Sequence, residues 1–226
     1  MSQLALPLQL QDHAVFESFW PASNEAIVAY LKDLAEGRQD AGCWIWGKTA
    51  SGKSHLLQAV CARLGDRSIY VPLREFVKGG AGIIEGLALR HCVCLDDIEA
   101  VARDPVWELA LFTLFNQSQD SGGLLLVASD AAPRESALQL ADLRSRMSLL
   151  PVFQVQSLTE GDRVQALQLR ARHRGLELPA DTASYLISRT RRDMGSLYEL
   201  LDRLDAEALR TQRRLTIPFV RSVIGS

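Results

Sequence analysis

The stretch Gly47-Lys48-Thr49-Ala50-Ser51-Gly52-Lys53-Ser54 constrains this chain more than any other. It fits G-x-x-x-x-G-K-[ST] at each fixed position, the pattern of a loop that wraps a polyphosphate. The two glycines let the backbone turn tightly and bring its N–H groups up to an anion. Lys53 sets a point charge near the outer phosphates, and the Ser54 hydroxyl suits Mg²⁺. The flanks agree with this reading. Cys43-Trp44-Ile45-Trp46 is a short apolar run of strand character, and residues 55–64 read as a helix. The helix N-terminus then points at the anion. Gly47, Ala50, Ser51, Gly52, Lys53, Ser54 and the first helical residues, His55 included, are the candidate nucleotide ligands.

Apolar runs bounded by polar turns recur at 69–72, 92–95, 124–128 and 152–155. Helical patterns lie between or before them at 25–36, 53–64, 105–121 and 138–147. Strands alternating with helices predict a parallel sheet sandwiched by helices. Asp104-Pro105 is a helix start, with Asp as N-cap and Pro at the first helical position. After 155 the strand pattern stops. Thr159-Glu160-Gly161-Asp162 opens a helix in capping-box style, and further helices are predicted at 180–190, 193–211 and 217–224. Leu197, Leu200, Leu201, Leu204 and Ala208 form one apolar stripe. A boundary near residue 157 therefore separates an α/β domain from a small all-helical one.

Cys92-Val93-Cys94-Leu95-Asp96-Asp97 is an apolar strand ending in two carboxylates, about 40 residues after the phosphate loop. In a parallel sheet its acids emerge beside that loop. Asp96 is placed to hold Mg²⁺ together with Ser54, and Asp97 to polarise a water. Ser129-Asp130 ends another buried strand at the same edge. Either residue is a candidate to sense a phosphate or orient water, and a plain turn explains the pair nearly as well. Arg144 and Arg146 precede the last strand, where a solvated surface is the simpler reading of charge alone. Phe16, Phe19, Trp20 and Pro21 cluster before the first helix, either as core or as the wall of a base site. Leu4, Leu6 and Leu8 in Gln3-Leu4-Ala5-Leu6-Pro7-Leu8 fall on one side of an extended segment. That segment is either a strand tucked on the body or a docking peptide.

The bulk composition excludes some classes. A net charge of −2 makes no case for strong direct DNA binding. The residues from Leu158 onward carry 12 Arg, no Lys and 9 acids, a mild basic excess that fits a solvated helical surface. The four cysteines, Cys43, Cys61, Cys92 and Cys94, show no C-x-x-C pair. They read as buried free thiols of a reducing compartment. No leader and no run of membrane-spanning length is visible, so the expectation is a soluble cytoplasmic protein.

The phosphate loop, Asp96-Asp97-Ile98, Ser129-Asp130, Leu143-Arg144-Ser145-Arg146 and a C-terminal helical lid, in this order, resemble the AAA+ module of the DnaA/Hda family. Phe19-Trp20-Pro21, Leu167-Gln168-Leu169-Arg170-Ala171-Arg172 and Leu215-Thr216-Ile217-Pro218-Phe219-Val220 are similar to its regulatory branch. The resemblance implies a P-loop NTPase-type fold with three parts. These are an N-terminal clamp-binding peptide at 1–12, an AAA+ nucleotide-binding domain at 13–157 and a helical lid at 158–226. It also implies ADP or ATP with Mg²⁺ as ligands, and DnaA and the polymerase sliding clamp as partners. Gln3, Leu4, Leu6 and Pro7 would dock on the DNA-loaded clamp. Arg146 would act in trans as an arginine finger on ATP held by DnaA, Asp130 would be the sensor-1 residue, and Phe19, Trp20 and Pro21 would line the base. The activity implied is negative regulation of replication initiation, the regulatory inactivation of DnaA.

Two departures from the family pattern stand out. Lys53 and Ser54 are intact where some members have an eroded loop, which leaves the chain's own ATP hydrolysis open. Gly195 stands where the family carries its sensor-2 arginine, with Arg191 and Arg192 about one turn earlier as candidate substitutes. Gly at that helical position costs about 1 kcal/mol of propensity. The alternative function is a self-sufficient AAA+ ATPase of the helicase-loader type. Self-association into a homodimer or higher oligomer is also left open.

Overall fold

The computed structural model describes residues 14–189 and 194–224. Among these, five strands form one all-parallel sheet. They are β1 (Cys43–Trp46), β2 (Ser68–Pro72), β3 (Cys92–Asp96), β4 (Leu124–Ser129) and β5 (Val152–Gln154), in the order β2-β3-β4-β1-β5. The first five helices are α1 (Glu25–Ala35), α2 (Lys53–Leu64), the single turn α3 (Leu73–Phe76), α4 (Pro105–Asp120) and α5 (Ala141–Met147). The parallel sheet sandwiched by helices follows the pattern of apolar runs and helical stretches in the sequence.

Alternation along each strand explains the two faces. Trp44, Val71, Val93, Leu95, Leu125 and Val127 share one buried cluster with Trp107, Leu111, Leu114 and Phe115 of α4 and Leu143 and Met147 of α5. Cys43, Ile45, Cys92, Cys94, Leu126 and Ala128 are equally buried and left for the opposite face. There α2 packs on β2, β3 and β4 and against α1. All four thiols are free and buried. The Trp44 indole N–H, inside the core, donates to the Ala131 carbonyl at 2.9 Å, which satisfies its one polar atom.

Most element ends fall within a residue of the sequence expectation, the start of α5 being the exception. The helix expected from 138 begins at Ala141, and the N–H groups of Gln139 and Leu140 just before it go to the Glu108 carboxylate. Strand β4 runs on to Ser129, whose side chain is fully buried. Asp104 caps α4 as expected, accepting from the N–H groups of Val106 and Trp107.

The remaining helices are α6 (Glu160–His173), α7 (Ala180–Arg189), α8 (Met194–Thr211) and α9 (Ile217–Ile224). They enclose a core of their own, which includes the whole α8 stripe from Leu197 to Ala208. Thr159 and Asp162 form the capping box of α6. On α6, Arg170 is only 3% exposed and stacks its guanidinium on the Tyr198 ring of α8 at 4.2 Å. Arg174, one turn on, pairs with Asp202 of α8 at 2.5 Å. The chain thus divides into two compact units. One comprises 14–16, Asn24–Thr49 and Lys53–Gln156. The other comprises Glu17–Ser23, Ala50–Gly52 and the residues from Ser157 on. No described helix is long and apolar enough to cross a membrane.

Gly42, the residue before β1, is held by contact. A Cβ there would lie 1.9 Å from the Leu125 carbonyl oxygen, a backbone atom of β4 that cannot turn away. Gly42→Ala should therefore part β1 from β4 and cost on the order of 3 kcal/mol or more, read as a lower denaturation midpoint in urea. A midpoint within experimental error of wild type would refute this account of the sheet.

Candidate nucleotide and metal site

The sheet register brings the charged residues of the α/β unit to one edge. Trp46 pairs with Ser129 and Leu95 with Val127. The C-terminal ends of β1, β3 and β4 therefore stop within a residue of one another. Gly47, Asp97 and Asp130 follow those ends, and the Gly47 N–H donates to the Ser129 carbonyl at 3.3 Å.

Lys53 is 8% exposed. Its ammonium donates to the carbonyls of Gly47 at 2.8 Å and Lys48 at 3.1 Å. Among the described hydrogen bonds it has no carboxylate partner. A buried ammonium held only by neutral oxygens fits an incoming polyphosphate, which supplies the missing countercharge. The loop tip carries two further marks. Ala50 sits in the left-handed region at φ 60°, a strained position for a residue with a Cβ. The Ser51 hydroxyl is buried and has no partner. In the unit that contains this tip, Gly52 has φ 106°, and a Cβ on it would meet the Phe19 ring at 2.8 Å. Only glycine fits there on both counts.

Asp96 is 2% exposed. Its Oδ2 accepts from the Tyr70 hydroxyl at 2.7 Å and its Oδ1 from the Asp97 N–H at 3.0 Å. Burial pushes its carboxyl above the usual carboxylate range, while hydrogen bonds from Ser54 and Tyr70 pull it back. A buried carboxylate bonded to the Ser54 hydroxyl, with no ion-pair partner among the described residues, is a donor set that fits Mg²⁺. When bound, the ion would supply positive charge that offsets the negative charge of the phosphates. Ser54 and Asp96 are the residues that would hold it.

The other candidates separate. Asp97 adopts the left-handed conformation, φ 55° and ψ 48°, which lets its carboxylate reach sideways to the Arg74 guanidinium at 2.9 Å. Arg74 also pairs with Glu99 at 3.3 Å. Burial raises the Glu99 carboxyl, and the charges of Asp97 and Asp130 add to this. The Ser129 hydroxyl accepts from the Ala131 N–H within its own turn, whereas Asp130 is exposed. The His55 ring is turned to the Val15 carbonyl at 2.9 Å, so that side chain serves the segment before α1. Phe16 lies under the Lys32 ammonium of α1. In the other unit, Trp20 packs on the helical core and donates its indole N–H to Asp162 at 3.2 Å. Pro21 is half-buried.

The two arginines of α5 also differ. Arg144 is half-buried and donates to the Leu138 carbonyl at 3.1 Å. Arg146 is exposed and lies over the Phe112 ring of α4, 5.1 Å from its centre. Gly195 is exposed near the start of α8, and Arg191 and Arg192 lie outside the described residues. So do Gln3, Leu4, Leu6 and Pro7.

Residues 160–224, spanning α6 to α9, match the family described as Hda, lid domain. The fold over 95% of the chain is similar to domain III of the Thermotoga maritima replication initiation protein DnaA, with a TM-score of 0.75, 20% identity and 96% of that chain covered. The helical unit thus matches an Hda-type lid, and the chain has the fold of DnaA domain III. AMPPCP-bound DnaA from Aquifex aeolicus is also similar, at TM-score 0.66 and 20% identity over 86% of this chain and 65% of that one. The Thermotoga maritima RuvB branch-migration motor reaches TM-score 0.60 at 14% identity, over 90% of this chain and 68% of that one. At these identities the likeness extends to the AAA+ fold.

Tyr70, Arg74 and Glu99 escaped the sequence reading, yet strand pairing would have found the first. Tyr70 lies opposite Cys94 in the β2–β3 register, two residues behind Asp96 on the same face. A long side chain at that diagonal reaches its neighbour. Tyr70→Phe should weaken Mn²⁺ binding to the ADP-loaded protein about tenfold, as measured by electron paramagnetic resonance. ADP affinity without metal should stay unchanged. Unaltered Mn²⁺ affinity would show that the hydroxyl does not orient Asp96.

Proposed function

We propose that this AAA+ protein binds ADP or ATP with Mg²⁺ through Gly47, Lys53, Ser54 and Asp96 and regulates replication initiation by acting on DnaA. It stimulates hydrolysis of ATP bound to DnaA, using Arg146 as a finger supplied from outside the partner's site. The observation that carries this reading is an Hda-type lid joined to a DnaA-like fold in which Arg146 is exposed. A guanidinium offered to a phosphoryl group in flight neutralises charge that develops only in the transition state. The Phe112 ring beneath it favours a projecting guanidinium by about 0.5–1 kcal/mol at an exposed position. Arg144, bonded to the Leu138 carbonyl, lacks that freedom.

In this reading the N-terminal peptide holds the protein on the DNA-loaded clamp through Leu4 and Leu6. Arg146→Ala should reduce stimulated hydrolysis of DnaA-bound ATP by ~10³-fold or more, with nucleotide and clamp binding retained. A variant as active as wild type would exclude Arg146 as the finger. Replacing Leu4 and Leu6 with Ala should abolish co-sedimentation with the clamp, and persistent binding would reduce the peptide to a structural role.

A second reading is supported by the intact set of Lys53, Ser54, Asp96 and Asp97, which suits an ATPase of the helicase-loader type. Steady-state turnover of ATP without DnaA, or with single-stranded DNA, is the outcome that would favour it.

A further inference from the structure

Glu108 of α4 is 2% exposed, yet its carboxylate has no arginine, lysine or histidine partner among the described ion pairs. Backbone N–H groups surround it instead. Oε1 accepts from Arg103 at 2.7 Å and Gln139 at 2.9 Å. Oε2 accepts from Gln139 at 3.0 Å and Leu140 at 2.5 Å. Two chain segments far apart in sequence thus converge on one side chain. The first is the turn before α4, where Arg103 has φ 71°. The second is the entry to α5.

That entry lacks a cap of its own. Leu140 occupies the N-cap position of α5 and offers no side-chain acceptor. Orphan N–H groups at a helix start need an acceptor, and serine, threonine or aspartate normally supplies it locally. Glu108, on a neighbouring helix, accepts from the N-cap N–H of Leu140 and from that of Gln139 before it. Phe112, one turn after Glu108 on α4, holds the other end of α5 through the Arg146 guanidinium. Residues at i and i+4 share a helix face. One face of α4 therefore grips both the two residues that lead into α5 and the arginine near its end.

We propose that Glu108 is the positioning residue of the arginine finger: its buried carboxylate fixes where α5 begins and so where Arg146 projects. This rests on the role of Arg146 proposed above. Misplacing a reacting group by about 1 Å costs on the order of 10²-fold in rate. A carboxylate satisfied only by backbone donors resists such drift, because each lost bond strands a buried group. Replacing it by an amide keeps the shape and one acceptor but turns an N–H donor towards the donors that remain.

The test is stimulated hydrolysis of DnaA-bound ATP, titrated with the full-length protein on loaded clamp. Glu108→Gln should lower the plateau rate roughly tenfold and Glu108→Ala about 10²-fold. The half-saturating concentration and ADP affinity should remain at wild-type values. The double variant Glu108→Ala/Arg146→Ala should be no slower than Arg146→Ala alone. Amide hydrogen exchange gives a readout independent of activity: Gln139 and Leu140 should exchange faster in Glu108→Gln while β3 and β4 stay protected. A wild-type plateau in Glu108→Gln, when Arg146→Ala is inactive, overturns the positioning role and leaves the finger intact. A shift in half-saturation or ADP affinity in place of the plateau also overturns it, since that marks a merely structural residue. If Arg146→Ala itself retains full stimulation, the finger reading fails first.

Discussion

Parallel pairing of β1 with both β4 and β5, and of β3 with β4, governs where each charged group falls. β1, β3 and β4 are buried on both faces and paired on both sides, so their register has little freedom to slip. With Trp46 beside Ser129 and Leu95 beside Val127, three strand ends stop level. The phosphate loop, the two aspartates after β3 and the Ser129-Asp130 turn follow from that arrangement. Gly42 guards it, because β1 and β4 approach more closely there than any side chain allows. The chemistry at the edge is a consequence of backbone geometry several residues earlier.

Charge at this edge is arranged by exclusion of water. Lys53 and Asp96 are both buried, yet each is satisfied by neutral groups: carbonyls for the ammonium, hydroxyls and an N–H for the carboxylate. Each thereby retains an electrostatic demand that an anionic phosphate or a divalent cation meets. The exposed charges behave differently. Arg74 pairs with Asp97 and Glu99 in a partly solvated cluster, where ion pairs contribute about 0–1 kcal/mol.

Much of the architecture was legible in the residues. Strand runs such as Cys92–Leu95 are apolar on both faces, and α4 announces itself through Asp104-Pro105. The Thr159–Asp162 box opens α6 as its spacing predicts. The phosphate loop and the acidic end of β3 were legible for the same reason, since motif and element coincide in one stretch. What escaped were groups whose partners lie on another element. Tyr70 meets Asp96 only through the β2–β3 register, and Arg74 meets Asp97 only because that residue turns left-handed. Glu108 reads as an ordinary helical glutamate until the entry to α5 is laid against it. The start of α5 lies three residues beyond the sequence expectation, after the two residues that Glu108 holds.

The left-handed conformation at Asp97 has a bearing on how such a chain can change over generations. Few side chains tolerate that backbone, and asparagine, nearly the same size as aspartate, is one of them. A single exchange from acid to amide would remove this carboxylate's charge, and its ion pair with Arg74, while keeping the turn that presents it. Neighbouring positions such as Ile98, buried in the core, offer no comparably free step. The charge presented at the end of β3 can thus change in a single substitution while the fold and the phosphate loop persist.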